Sequence, residues 1–243
     1  MSETTAAILV IGDEILSGKT EEVNARFLIS ELRELGVALR LVMIVPDDVD
    51  QIAAAIADMS KRYTFVFTSG GVGPTHDDVT LLGVSKAFNR PMHRHPEIEA
   101  MLRGYFGDGI KESHLRMADV PEGSSFIISA ELRWPVLSFQ NVYILPGVPE
   151  FFRQKFVAIK ERFRGAQFFL KLIYTQQDEF SIAHLMQQVA YDYPQVSIGS
   201  YPAFDRADYR VKITIESKDN ETVVAAYKAL YEMLDQKLIV RHD

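Results

Sequence analysis

The tightest constraint on this chain is a junction: the β-branched and aromatic run Tyr63 to Thr68 passes directly into Ser69-Gly70-Gly71-Val72-Gly73-Pro74-Thr75-His76-Asp77-Asp78. A strand that stops at a glycine-rich loop, with helical periodicity resuming after it, places that loop at the carboxyl edge of a parallel sheet, where helix N-termini and loop amides converge on ligands. The same pattern recurs upstream. Residues 6 to 11 form a continuous apolar run ended by Gly12, as expected of a strand buried on both faces. From Thr20 to Leu35 the apolar positions Val23, Phe27, Leu28, Leu32 and Leu35 recur at three- and four-residue spacings with Gly36 at the capping position, which predicts an amphipathic helix. Ala38 to Val45 reads as a strand, and Val49 to Lys61 as an alanine-rich helix capped by Asp48. The order β-α-β-α-β-loop-α predicts an α/β fold built on a mostly parallel, doubly wound sheet.

Asp77 and Asp78 are expected to open the next helix, which runs to Phe88. Between Asn89 and Gln140 the periodicity weakens, leaving a helix from Pro96 to Tyr105 and a turn at Gly107-Asp108-Gly109. Val142 to Leu145 returns as a strand ended by Pro146-Gly147-Val148-Pro149, before a helix from Glu150 to Phe163. Beyond about Gly165 the pattern changes: strand Phe168 to Tyr174, helix Glu179 to Tyr191, strands Val196 to Tyr201 and Tyr209 to Glu216, and helix Glu221 to Leu234. The expected organisation is an α/β domain over 1–164 and a small α+β domain of β-α-β-β-α order over 165–243.

Composition removes several function classes. The formal net charge of −7 and basic runs no longer than pairs such as Lys61-Arg62 argue against nucleic acid as a partner. The chain has no cysteine, so disulfides, zinc ribbons, iron–sulfur clusters and a thiol nucleophile are excluded. Met1-Ser2-Glu3-Thr4-Thr5 lacks the basic start and apolar stretch of a secretory signal, and no apolar run approaches membrane-spanning length, so a cytoplasmic location without membrane contact is expected.

Four loops share the carboxyl edge: Gly12-Asp13-Glu14, Pro46-Asp47-Asp48, Gly70 to Asp78, and Pro146 to Pro149. Gly70, Gly71 and Gly73 allow close backbone approach, so their amides can receive phosphate oxygens. Acids beside a phosphate repel it unless a cation intervenes, so Asp77 and Asp78 read as Mg²⁺-type ligands with Asp13 beside them. The bland alternative is a tight turn with a helix cap. Two nucleotide motifs fail: Gly12 to Thr20 is one residue too long for a Walker A loop, and position 76 is His where a dinucleotide fingerprint needs glycine. His93 and His95 read as solvated surface residues, His76 and His114 as better placed for the site. Phe151, Phe152 and Phe156 are expected in the core. The C-terminal domain has no G-x-x-G loop and does not read as an RNA-binding module.

The set Gly12-Asp13-Glu14-Ile15-Leu16-x-Gly18, Asn24, Gly70 to Asp78, and Leu145-Pro146-Gly147-Val148-Pro149 resembles the molybdopterin-binding (MoaB/Mog-like) domain family, as found in competence-damage-inducible protein A. Pro46-Asp47, Pro74-Thr75-His76-Asp77-Asp78, Asn141-Val142-Tyr143 and Gly199-Ser200-Tyr201-Pro202 bring it nearer the molybdopterin-binding-like domain of eukaryotic FAD synthases. The resemblance implies a three-layer αβα fold, a homo-oligomer, and a nucleotide or pterin ligand held by Gly12, Glu14, Asn24, Gly70, Gly71, Gly73, Thr75, His76, Pro146 and Gly147. In such relatives the acids at Asp13, Asp77 and Asp78 serve a divalent cation, Mg²⁺ or Co²⁺ with K⁺, in hydrolysis of FAD or ADP-ribose, or in adenylylation of molybdopterin. A non-catalytic holder of molybdopterin or a flavin nucleotide is the other expectation. The sequence departs from these relatives at Glu131-Leu132-Arg133-Trp134-Pro135-Val136, where most competence proteins carry Gly-Thr-Ala-Pro-Gly.

Overall fold

Residues Ala6–Ile11 are almost completely removed from solvent, and alternate side chains feed two different cores. Ala6, Ile8 and Val10 pack with Ala25, Leu28, Leu32, Phe152 and Phe156 on one face. Ala7, Leu9 and Ile11 pack with Ile52, Ile56, Met59 and Val84 on the other. A strand projects successive side chains to opposite faces, so a continuous apolar run requires helices on both sides of the sheet. The computed structural model describes residues 3–205 and 207–243; Met1 and Ser2, where the segment read above for a signal begins, and Arg206 lie outside them.

In chain order the larger unit contains β1 (Thr5–Ile11), α1 (Asp13–Leu16), α2 (Asn24–Glu34), β2 (Ala38–Val45), α3 (Val49–Arg62), β3 (Phe65–Ser69) and α4 (Thr80–Phe88). It continues with β4 (Met92–Arg94), α5 (Pro96–Phe106), α6 (Glu112–Leu115), β5 (Asp119–Pro121), β6 (Ser125–Ile127), β7 (Val136–Phe139), β8 (Val142–Leu145) and α7 (Pro149–Ile159). The sheet order is β2-β1-β3-β8-β7-β6. Strands β2, β1, β3 and β8 run parallel, and β7 and β6 extend the sheet antiparallel. The fold is the three-layer αβα arrangement expected. The antiparallel edge was hidden in the weakly periodic stretch, because three- and four-residue strands are too short to show a period.

Strand β3 ends where the glycine loop begins, and the parallel pairing brings the ends of β1, β2, β3 and β8 to one edge. The smaller unit runs from Ala166 to Asp243. It holds β9 (Phe169–Thr175), α8 (Glu179–Asp192), β10 (Ser197–Pro202), β11 (Val211–Ser217), α9 (Asn220–Met233) and β12 (Ile239–His242). Its antiparallel sheet has the order β10-β11-β9-β12, covered by Ile182 and Val189 of α8 and Val223, Ala226 and Leu230 of α9. Strand β12 adds to the β-α-β-β-α order expected, since four residues are too short to show a period.

Several local expectations are corrected. Helix α2 starts at Asn24 rather than Thr20, because the Glu22 carboxylate accepts from the backbone N–H groups of Asn24 and Ala25, both at 2.9 Å, and closes the turn there. Helix α4 starts at Thr80, so Asp77 and Asp78 lie before it. Phe152 and Phe156 are buried, but Phe151 is exposed, since an adjacent helical residue cannot share their face. His95 is half-buried with its ring 4.5 Å from that of Phe126, whereas His93 is exposed as expected. The departing segment is pinned by Lys155 of α7, whose ammonium donates to the carbonyls of Trp134 (3.1 Å) and Pro135 (2.5 Å). Burial there pulls the lysine down to about 8.

Candidate functional site

The four loops do meet. Loop 12–14 is tied to loop 46–48 by the Asp13 N–H, which donates to the Asp47 carboxylate at 2.9 Å. The Gly12 N–H donates to the Val45 carbonyl at 3.1 Å, and the Gly70 N–H to the Leu145 carbonyl at 3.2 Å. Asn24, the first residue of α2, donates its side-chain amide to the Ser69 hydroxyl at 2.9 Å and to the Gly147 carbonyl at 2.8 Å. One buried asparagine thus joins α2, the end of β3 and the loop after β8. Its Oδ1 is buried without a partner among the described residues. Asn24 also lines a small recess, about 50 Å³, with Val10, Ile15, Glu14, Glu22 and Ser69.

The glycine loop is shaped by two glycines in particular. Gly70 has a φ of +105° and a Cβ there would strike the Ile11 carbonyl oxygen, so only glycine lets β1 and β3 end side by side. A Cβ on Gly73 would lie 2.7 Å from an Asp78 oxygen. The loop is closed onto α4 by Thr80, whose hydroxyl donates to the Gly70 carbonyl at 2.9 Å and whose N–H donates to the Gly71 carbonyl at 3.0 Å.

Asp78 is neither the start nor the cap of α4. Its carboxylate folds back and accepts from the Thr75 N–H at 2.7 Å and from the Thr75 hydroxyl. The same hydroxyl also lies against Asp77 and, with the Asp77 backbone N–H, holds that carboxyl below the ordinary range. The His76 side chain is 95% exposed and its Nδ1 lies 3.9 Å from Asp77. His114 stacks on Phe106 at 4.0 Å, and its Nδ1 accepts from the Lys111 N–H. It is a structural residue of α6. The residue that reaches the glycine loop from that region is Arg116, whose Nη2 donates to the Pro74 carbonyl at 3.2 Å.

Asp47 was part of a loop singled out in the sequence, yet it is the acid that gathers the others. Burial first, then the charges of Glu14, Asp13 and Asp77, push its carboxyl above the ordinary aspartate range, against the stabilising N–H of Asp13. The charges of Glu14, Asp13 and Asp77 therefore all reach Asp47. The signal available in the sequence was placement: Asp47 follows strand β2 as Asp13 follows β1. Among the described residues, no three histidine or carboxylate side chains close a metal cage. Gly147 lies at this edge through the Asn24 bond to its carbonyl, with Pro146 next to it in the loop after β8.

A three-layer α/β unit with an acid-flanked glycine loop at the carboxyl edge of its parallel strands has the architecture in which ligands bind at that edge. Residues 7–164 match the family described as "Probable molybdopterin binding domain", and the chain belongs to that family. Residues 167–243 match the family described as "FAD synthase, middle domain". The chain is 34% identical to a "Probable FAD synthase" of Caenorhabditis elegans, over 95% of this chain and 50% of that protein. It is 34% identical to a protein of Archaeoglobus fulgidus over 95% of this chain and 98% of the other. The crystal structure of "the protein CinA with unknown function from Thermoplasma acidophilum" matches with a TM-score of 0.61 at 30% identity, covering 66% of this chain and 98% of that one. The chain spans about half the length of the nematode FAD synthase. No helix among the described residues is long and apolar enough to cross a membrane.

Proposed function

We propose that the larger unit hydrolyses the diphosphate bond of FAD, or of an ADP-ribose-type dinucleotide, with the help of a divalent cation. The observation that carries this reading is the gathering of Asp13, Glu14, Asp47 and Asp77 beside the glycine loop. Carboxylates that repel one another next to phosphate-binding amides are matched by a hard cation, and Mg²⁺ commonly takes one or two carboxylates together with substrate phosphates rather than a complete protein cage. The oxygen-only donor set fits that ion. One or two of Asp13, Asp47 and Asp77 would hold it together with substrate phosphates, and when bound it would supply charge neutralisation and polarisation of a phosphoryl oxygen. The backbone amides at 71 to 73 face the charge that develops on the phosphoryl group, and Asp78 keeps them in place through Thr75. Asn24 holds the end of β3 and the loop after β8 together through its side-chain amide.

The likeness to FAD synthases supports a flavin or adenine dinucleotide as the ligand. The test is release of AMP from FAD by the purified chain with Mg²⁺ or Co²⁺ and K⁺. Asp13→Asn and Asp77→Asn are expected to lower that rate roughly a hundredfold or more. No AMP from either FAD or ADP-ribose would sink the proposal. One observation favours a second reading, a holder of the same ligands without turnover: the Asp78 carboxylate is committed to Thr75 rather than open to a ligand. Ligand binding by calorimetry without AMP release would establish that reading instead.

A further inference from the structure

A second recess, about 150 Å³, shares no lining residue with the first and is lined among others by Gly71, Gly73, Thr75, Asp78, Met92 and Arg116. We infer that Arg116 is the residue that binds a phosphate of the ligand in this recess, and that the recess selects phosphorylated over unphosphorylated molecules. This rests on the reading of the glycine loop as a diphosphate cradle. The backbone of Arg116 is fixed: it begins the 3-10 turn Arg116–Ala118, with Leu115 and Ala118 buried on either side. Its side chain is long enough to cross to the loop, where it donates one N–H to the Pro74 carbonyl. A guanidinium carries five N–H donors in a planar fork, so that bond leaves donors for an oxyanion.

Charge bookkeeping on the recess wall points the same way. Asp78 is turned to Thr75. Asp119 is taken by Arg94, which donates from Nε at 2.8 Å and from Nη2 at 3.1 Å; a second acid, Glu112, lies 2.7 Å from the same guanidinium. Asp119 thus has a cation of its own, and Asp78 keeps its charge but is turned onto the Thr75 N–H and hydroxyl, whereas Arg116 bonds only a neutral carbonyl among the described residues. A phosphate entering there meets a cation not already paired with an acid, together with the amides of Gly71 to Gly73. Bidentate capture of phosphate oxygens is the geometry that a guanidinium favours.

The test uses the full chain with Mg²⁺ and the two monophosphates that FAD hydrolysis would yield, FMN and AMP, each against its nucleoside, riboflavin or adenosine. Arg116→Gln is expected to weaken FMN or AMP roughly ten- to hundredfold. Arg116→Lys should recover part of that loss, and nucleoside binding should stay unchanged in both variants. Which monophosphate responds identifies the half of the dinucleotide that the recess holds. Wild-type binding of FMN and AMP by Arg116→Gln, a parallel loss of nucleoside and nucleotide, or no binding of either monophosphate by the wild type would overturn the inference. Arg116-dependent binding without any AMP release from FAD would remove only the hydrolytic reading.

Discussion

At Asp47, burial and neighbouring charge push in the same direction. The folded protein holds this proton more tightly than the unfolded chain does, because desolvation and then Glu14, Asp13 and Asp77 disfavour the anion. A value raised in the folded state means that the contribution of Asp47 to stability is fully present below the ordinary aspartate range, about pH 4, and is lost as pH climbs through the raised value. Asp47→Asn keeps an oxygen to accept the Asp13 N–H while removing the charge. Its Tm should exceed the wild type's at about pH 7, and the advantage should vanish near pH 3.5. Thermal melts across that range decide it: an advantage independent of pH would mean that the carboxylate cluster is not the cause. Added Mg²⁺ should narrow the gap at neutral pH by screening the same repulsion.

Among the elements, α2 carries a load that its length does not reveal. Leu28 and Leu32 bury its face against β1, while Asn24 at its first turn fastens the ends of β3 and β8. Asn24→Ala removes two donors and leaves the Gly147 carbonyl and Ser69 hydroxyl without them, a loss expected at about 1–3 kcal/mol. A urea midpoint that falls with an unchanged slope would report it; an unaltered midpoint would show that the bonds add nothing. The core-facing period of α2 was legible in Val23, Phe27, Leu28 and Leu32, because periodicity reports burial. Its start was not, because that depends on where the Glu22 carboxylate turns. For the same reason the acids of the glycine loop were found but their duties were not. Sequence placed Asp78 next to a helix, whereas its bond to Thr75 and the start of α4 at Thr80 are products of the loop's tertiary path. Arg116 and Asp47 illustrate the remaining gap: each reaches the site through contacts 42 and 34 residues away in the chain, beyond any local pattern.

For the molecule as a whole, strand order does the decisive positioning. Parallel pairing of β2, β1, β3 and β8 brings four loops to one edge, and the inserted stretch from β4 to β5 carries Arg116 to the same loop. The smaller unit has its own sheet and core, from Ile173 to Leu234. The reaction proposed for the larger unit is cleavage of a dinucleotide diphosphate at its acidic edge with a hard cation supplied. Phosphorus-31 NMR of FAD incubated with the full chain tests this directly. With Mg²⁺ present, or with Co²⁺ removed by a chelator before the spectrum is taken, the diphosphate resonances should give way to the two monophosphate signals of FMN and AMP, and a chelator added at the start should stop the change. Diphosphate resonances that persist with either cation, or a conversion indifferent to the chelator, would contradict the account.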